Sequence, residues 1–167
     1  MPLFPAFLDL SDSAVLVVGE GSEADRKAEK MAPFCKTVVR CPYPPRYDAL
    51  PALVILTQKE HPENEAWASH FREQGVPVNV SDRPELCDFR FPSLIVRGDV
   101  SVGIATDGKA PALAALLRQR IADALPEKLE DIVIAAGELT AELRQTIPDP
   151  QERGRVLRLM LGELLEA

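Results

Sequence analysis

Residues 14–18, Ala14-Val15-Leu16-Val17-Val18, form an unbroken apolar run rich in β-branched side chains, and it ends on Gly19-Glu20-Gly21. No other feature restricts the fold as tightly. Without polar alternation the run reads as a strand buried on both faces, which demands a layer on each side of its sheet and so an α/β architecture. Residues 22–32 are rich in helix formers, with Ala24, Ala28 and Met31 or Ala32 on one side and charged residues on the rest; Pro33 ends the helix. Residues 36–41 make a second strand, closing a βαβ unit whose crossover is expected to be right-handed. Pro42, Pro44, Pro45 and Pro51 crowd the approach to a third strand over 53–57 and leave little room for a crossover helix. A helix over 61–74, closed by Gly75, and a fourth strand over 76–80 with Pro77 at its start complete the first half.

The second half changes character. Residues 91–96 and 100–106 are strand-like and are joined at Arg97-Gly98-Asp99, the pattern of a tight antiparallel turn. Pro111 suits the first turn of a helix on which Leu113, Leu116, Leu117, Ile121 and Leu125 recur at helical spacing, and Pro126 ends it. Two further amphipathic helices follow, over 127–145 and 151–166, around Pro148-Asp149-Pro150. No internal repeat or low-complexity tract is present.

Composition then limits the function classes. With 167 residues, 46% of them hydrophobic, the chain can bury a core as one domain, or one with a small appendage. A net charge of −7 argues against non-specific nucleic-acid binding and means that an anionic ligand must meet a local basic patch. The apolar runs are far short of the roughly 20 residues that span a bilayer, so no membrane association is expected. Met1-Pro2-Leu3-Phe4-Pro5 lacks the basic and apolar regions of a signal peptide, and the expected compartment is the cytoplasm. Cys35, Cys41 and Cys87 are odd in number and lack CxxC spacing; they read as reduced, buried small hydrophobes rather than disulfide or metal ligands.

The chemistry starts at Gly19-Glu20-Gly21-Ser22-Glu23-Ala24, a G-x-G-x-x-A between a predicted strand and a predicted helix, the context a dinucleotide fingerprint needs. The first glycine permits the turn, the second lets a pyrophosphate approach the backbone, and Ala24 lets the helix pack on the strand. The helix N-terminus offers N–H groups to the phosphates, so Gly19, Gly21, Ser22 and Glu23 are the candidate cradle. A glycine turn with no ligand is the plainer account. The acidic residue that ordinarily follows about twenty positions on and binds the ribose is missing. Arg40 stands there instead, either for a 2′-phosphate or as a solvated edge charge.

The order of motifs resembles the siroheme synthase N-terminal family, the precorrin-2 dehydrogenases and their bifunctional dehydrogenase/ferrochelatase relatives. The likeness runs through Phe4-Pro5-Ala6-Phe7-Leu8-Asp9-Leu10, Val15-Leu16-Val17-Val18-Gly19-Glu20-Gly21, Asp25-Arg26-Lys27-Ala28, Asn79-Val80-Ser81-Asp82, Phe91-Pro92-Ser93-Leu94-Ile95, Ala105-Thr106-Asp107-Gly108-Lys109-Ala110-Pro111 and Gln151-Glu152-Arg153-Gly154-Arg155. The resemblance implies NAD-dependent oxidation of precorrin-2 to sirohydrochlorin, with or without iron insertion, by a homodimer. It implies a Rossmann-like domain over 1–90, a dimerisation region over 91–125 and a helical domain over 126–167. It places the catalytic role on Asp82, the adenosine beside Tyr43 and Pro44 with Thr57 also at the cofactor, and the tetrapyrrole near Thr106, Gly108 and Lys109. By itself Asp82 reads as a turn or capping residue, and residues 106–111 as a loop and helix cap. A polycarboxylate substrate needs cations, for which Arg83, Arg90, Arg97 and Lys109 are candidates. His61 and His70 receive neither a metal nor a catalytic role, and Trp67 with Phe71 reads as core packing.

Two departures from the family pattern stand out. A strand and helix expected between the second strand and residues 53–57 are missing, and Thr57-Gln58-Lys59-Glu60 differs from the family's acidic or amide pattern after its Thr. Two classes therefore stay open: a precorrin-2 dehydrogenase, or a non-catalytic tetrapyrrole-binding or chaperoning homologue that has lost its cofactor.

Overall fold

The computed structural model describes residues 3–58 and 60–166, and the chain divides into two compact units, Phe4–Phe91 and a second from Pro92 onwards. In the first unit β1 (Leu10–Val18), β2 (Cys35–Cys41), β3 (Leu53–Leu56) and β4 (Val78–Val80) form one all-parallel sheet in the order β2-β1-β3-β4. Helix α1 (Ser22–Met31) joins β1 to β2, and α2 (Asn64–Glu73) joins β3 to β4.

The continuous apolar runs are buried on both faces, as their lack of alternation requires. Leu16, Val18, Val54, Leu56, Val78 and Val80 point to one face and pack against Ala68 and Phe71 of α2. Val15, Val17, Leu53 and Ile55 point to the other and meet Ala24 and Met31 of α1. Trp67 packs beside Phe71 on the first of these faces, a core role as expected.

Several boundaries differ from the sequence reading. Strand β1 reaches back to Leu10 through a register irregularity between Leu10 and Ala14. Helix α1 stops at Met31, and Pro33 sits in a 3₁₀ turn, Ala32–Phe34. Helix α2 begins at Asn64, after a turn containing Pro62, rather than at residue 61. Residues 42–52 hold no helix or strand, so the connection from β2 to β3 is a proline-rich loop. All three cysteines are free, but each is half-buried rather than buried.

The second unit contains an antiparallel pair, β5 (Ser93–Arg97) and β6 (Val100–Ile104), joined by Gly98-Asp99. Gly98 has φ 53°, the conformation a two-residue hairpin loop requires at its first position. Helices α3 (Pro111–Ala124), α4 (Leu129–Thr146) and α5 (Pro150–Glu166) follow. Asp149 caps α5, accepting hydrogen bonds from the N–H groups of Gln151 and Glu152. Among the described residues no helix is long and apolar enough to cross a membrane.

Candidate functional site

Strand register places the site. Val18 is level with Cys41 on one side and Leu56 on the other, and Leu56 is level with Val80. The residue after each of β1, β3 and β4 continues the ladder: Gly19 N–H donates to Cys41 O (2.8 Å), Thr57 N–H to Val18 O (2.9 Å) and Ser81 N–H to Leu56 O (2.9 Å). Gly19, Thr57, Ser81 and Asp82 therefore emerge along one edge. The chain leaves β1 for β2 on one side and returns to β3 on the other, which makes the β1/β3 boundary the topological switch point where open α/β sheets bind ligands.

At that boundary Gly19 adopts φ 120°, and a Cβ on it would lie 2.3 Å from the Thr57 hydroxyl oxygen. The Thr57 side chain is buried and donates to Val18 O at 2.9 Å, so its hydroxyl proton is directed inward, fastening β3 to β1. Gly21 has φ 83° and ψ −174°, a combination essentially confined to glycine. A Cβ there would meet nothing within 4 Å, and no side chain caps α1. Open space thus faces the uncapped start of a helix whose Ala24 is fully buried. Such a helix start suits a pyrophosphate.

Glu23 lies in that first turn. Its carboxylate accepts from Arg26 (2.7 Å), pairs with Lys27 (3.8 Å) and accepts from the Ser81 hydroxyl (3.3 Å), tying the start of α1 to the end of β4. Partial burial pushes this carboxyl up, but the Arg26 and Lys27 cations and the Ser81 hydrogen bond outweigh it and hold it below its ordinary value. Tyr43 donates to Asn64 Oδ1 at 2.6 Å, and its ring stacks on His61 with centroids 3.7 Å apart. Burial pushes the Tyr43 phenol up, so it stays protonated as a donor. Pro44 is exposed beside it. Arg40 pairs with Asp25 at 2.6 Å. No histidine, cysteine, aspartate or glutamate cluster that could hold a metal occurs among the described residues.

Asp82 follows β4 with φ 57°, in the left-handed region. It is exposed, and its carboxylate makes no hydrogen bond or ion pair among the described residues. A capping aspartate would direct an oxygen at a backbone N–H, and this one does not.

Of the four candidate cations, three are already engaged. Arg83 pairs with Glu65 at 3.2 Å and with Glu85, while Arg90 donates to the carbonyls of Pro84 (2.7 Å) and Cys87 (3.3 Å). Arg97 is a correction to the sequence reading: it donates to Ala122 O (2.9 Å), Leu125 O (3.1 Å) and Pro126 O (3.1 Å), capping the C-terminus of α3. Arg97→Ala should therefore destabilise the protein by about 2 kcal/mol, the scale of hydrogen bonds to a charged group, and leave substrate KM unchanged. Thermal unfolding and initial-rate kinetics check both halves. Lys109 is exposed and has no side-chain partner among the described residues. It follows the turn at Asp107 (φ 53°) and Gly108 (φ 73°), closed by Lys109 N–H donating to Thr106 O at 3.0 Å.

Three residues escaped the sequence reading. Lys27 has a side chain only 12% exposed, lies 4.1 Å from the Phe91 ring centre and pairs with Glu23. Burial pushes its ammonium down, against the pull of Glu23 and Asp82. Its spacing four residues after Glu23 was the available signal. Ser81 and Cys87 lacked one, since their partners come from the fold.

Comparison with known proteins gives matches over most of the chain. Residues 97–124 match the family model described as sirohaem biosynthesis protein central, and residues 46–93 match the model described as putative NAD(P)-binding. The siroheme synthase of Methylococcus capsulatus is 34% identical over 175 residues, covering 92% of this chain and 37% of that protein. The siroheme synthase of Thioalkalivibrio sulfidiphilus is 33% identical over 189 residues, covering 99% and 39%. The chain thus spans little more than a third of the length of these relatives. A solved structure described as SirC, precorrin-2 dehydrogenase, superposes with a TM-score of 0.67 at 16% identity, covering 95% of this chain and 89% of the other, and shows the shared fold. Taken with the four-stranded sheet and the hairpin that follows it, these matches make the chain a homologue of siroheme synthases that carries the sirohaem biosynthesis central segment at 97–124.

Proposed function

We propose that this chain is an NAD-dependent precorrin-2 dehydrogenase, oxidising precorrin-2 to sirohydrochlorin in the cytoplasm. One observation carries the reading: an uncapped helix start facing open space and the Asp82 carboxylate, exposed and without a hydrogen bond or ion pair among the described residues, emerge on the same sheet edge, and the Ser81–Glu23 hydrogen bond ties the start of α1 to the end of β4. Backbone groups at Gly19, Gly21, Ser22 and Glu23 hold the pyrophosphate, Tyr43 and Pro44 border the adenosine, and Thr57 shapes the floor by keeping β1 and β3 together. When bound, the nicotinamide supplies the hydride acceptor. Asp82 takes the proton from the ring carbon and would equally receive pyrrole protons if a metal enters the macrocycle. Thr106, Gly108 and Lys109 meet the tetrapyrrole, Lys109 through a carboxylate of the substrate.

A titration of the protein with NAD⁺ tests the cradle. Wild type should bind, and Gly21→Asp should not, because a carboxylate would point into the space reserved for phosphate. That variant also strains the loop by about 1–3 kcal/mol, so binding is measured on protein verified as folded. Wild-type affinity in the folded variant would place the cradle elsewhere. The alternative, a tetrapyrrole-binding homologue without cofactor, is favoured by the end of β2, where Arg40-Cys41-Pro42-Tyr43-Pro44 offers no carboxylate for the ribose. It predicts sirohydrochlorin binding with no response to NAD⁺.

The proposal includes a homodimer formed through 91–125, with 126–167 as a helical domain. Leu113, Leu116 and Leu117 are 51%, 63% and 37% exposed, and only Ala114 of α3 is buried. Each leucine covered by a second copy would contribute about 1.5–3 kcal/mol. Sedimentation at micromolar concentration should give a dimer, and Leu116→Glu should give a monomer.

A further inference from the structure

We propose that Cys87 is a positioning residue for Asp82: its thiol is the inner hub of the loop that presents the carboxylate. This rests on the reading of Asp82 as the proton acceptor. The argument begins with how the segment after β4 is held. Asp88 N–H donates to Val78 O at 2.8 Å, and the Asp88 carboxylate accepts from Val78 N–H at 2.9 Å and from Arg72 at 2.7 Å. Asn79, buried, donates to Phe89 O at 2.9 Å. These bonds fold the segment back along β4 and fix its far end.

The near end turns on one sulfur. Cys87 Sγ accepts from Val80 N–H (3.2 Å) and from Asn79 Nδ2 (3.5 Å), and its S–H is within reach of both Val80 O and Arg83 O (3.2 Å each). Those carbonyls flank Asp82, two residues before it and one after. The thiol therefore spans the turn from inside while Asp82 stands outside it with φ 57° and no side-chain hydrogen bond or ion pair among the described residues. A non-glycine residue in the left-handed region is held there by its surroundings. The Asp82 side chain makes no hydrogen bond or ion pair among the described residues, so the hold comes from Arg83 N–H donating to Val80 O (3.2 Å) across the turn and from the Cys87 contacts on both flanks.

The test compares Cys87→Ala, which removes every one of these bonds, with Cys87→Ser, which keeps a donor and an acceptor at the same place. Initial rates with precorrin-2 and NAD⁺, NAD⁺ affinity and crystal structures of both variants are measured. Cys87→Ala should lower kcat about tenfold with KM and NAD⁺ affinity within twofold of wild type, and Asp82 should leave φ near 57°; Cys87→Ser should recover most of the rate and the conformation. Wild-type kcat and an unmoved Asp82 in Cys87→Ala would overturn the proposal. If wild type itself shows no turnover, the functional reading fails, and the conformation of Asp82 in the two crystal structures still decides the positioning role. Should Cys87→Ala not fold, Asn79→Ser, which weakens the same sulfur contact and the bond to Phe89 O, is read by the same measurements.

Discussion

Asp82→Asn should slow sirohydrochlorin formation by about 10²–10⁴-fold, the usual contribution of a general base, while melting temperature and NAD⁺ affinity stay near wild type. The two halves of this result have separate causes. The fold should not respond, because the Asp82 carboxylate is exposed and makes no hydrogen bond or ion pair among the described residues. Asn also tolerates φ 57° as readily as Asp does. The rate should respond, because the carboxamide keeps the size of the side chain but cannot accept a proton at neutral pH. Stopped assays following sirohydrochlorin absorbance, with thermal unfolding of the same preparations, measure both. A variant with wild-type turnover would make Asp82 a turn residue and remove it from the mechanism.

What the sequence makes legible is whatever depends on short-range pattern. The run at 14–18 is readable as a doubly buried strand because parallel central strands need no polar alternation, and Val15 to Val18 are indeed fully buried. The glycine loop is readable because a strand, two glycines and a helix are consecutive in the chain. Tertiary partners are not readable in this way. Arg97 looks like any surface cation until α3 returns its C-terminus to the hairpin and leaves three carbonyls for the guanidinium to cap. Cys87 looks like a small hydrophobe until the segment after β4 doubles back and puts its sulfur between Val80 and Arg83. Asn79 is readable only as a position of the fourth strand; its burial and its bond to Phe89 O come from the same doubling back.

The bare connection between β2 and β3 has a structural consequence that the proline spacing alone foretells only in part. With no further strand beyond it, β2 is an edge, and none of its seven residues is buried. The loop does supply packing of a different kind: Tyr43 and Tyr47 lie against the core on the α2 face, and Tyr43 bonds to the buried Asn64. The 42–52 segment therefore takes over part of the covering work of the missing elements.

Gly19→Ala should cost about 3 kcal/mol or more of stability and abolish NAD⁺ binding, because it adds backbone strain to a steric conflict. At φ 120° an L-residue is strained by about 1–3 kcal/mol whatever the space around it. Space is also lacking. The new Cβ would lie 2.3 Å from Thr57 Oγ1, well inside contact distance, and 3.2 Å from Gln58 Cγ. The Thr57 hydroxyl cannot give way freely, since it is buried and donates to Val18 O at 2.9 Å; turning it leaves the end of β1 short of a hydrogen bond. The two contributions separate in a double-mutant cycle. Thr57→Ala removes the hydroxyl and leaves a Cβ at 3.6 Å, an ordinary contact, so Gly19→Ala should cost less in that background than in wild type. The difference in urea midpoints between the two backgrounds reads the clash, and the remainder reads the strain. Equal costs in both would mean that φ alone makes glycine necessary at this position and that Thr57 only fastens the strands.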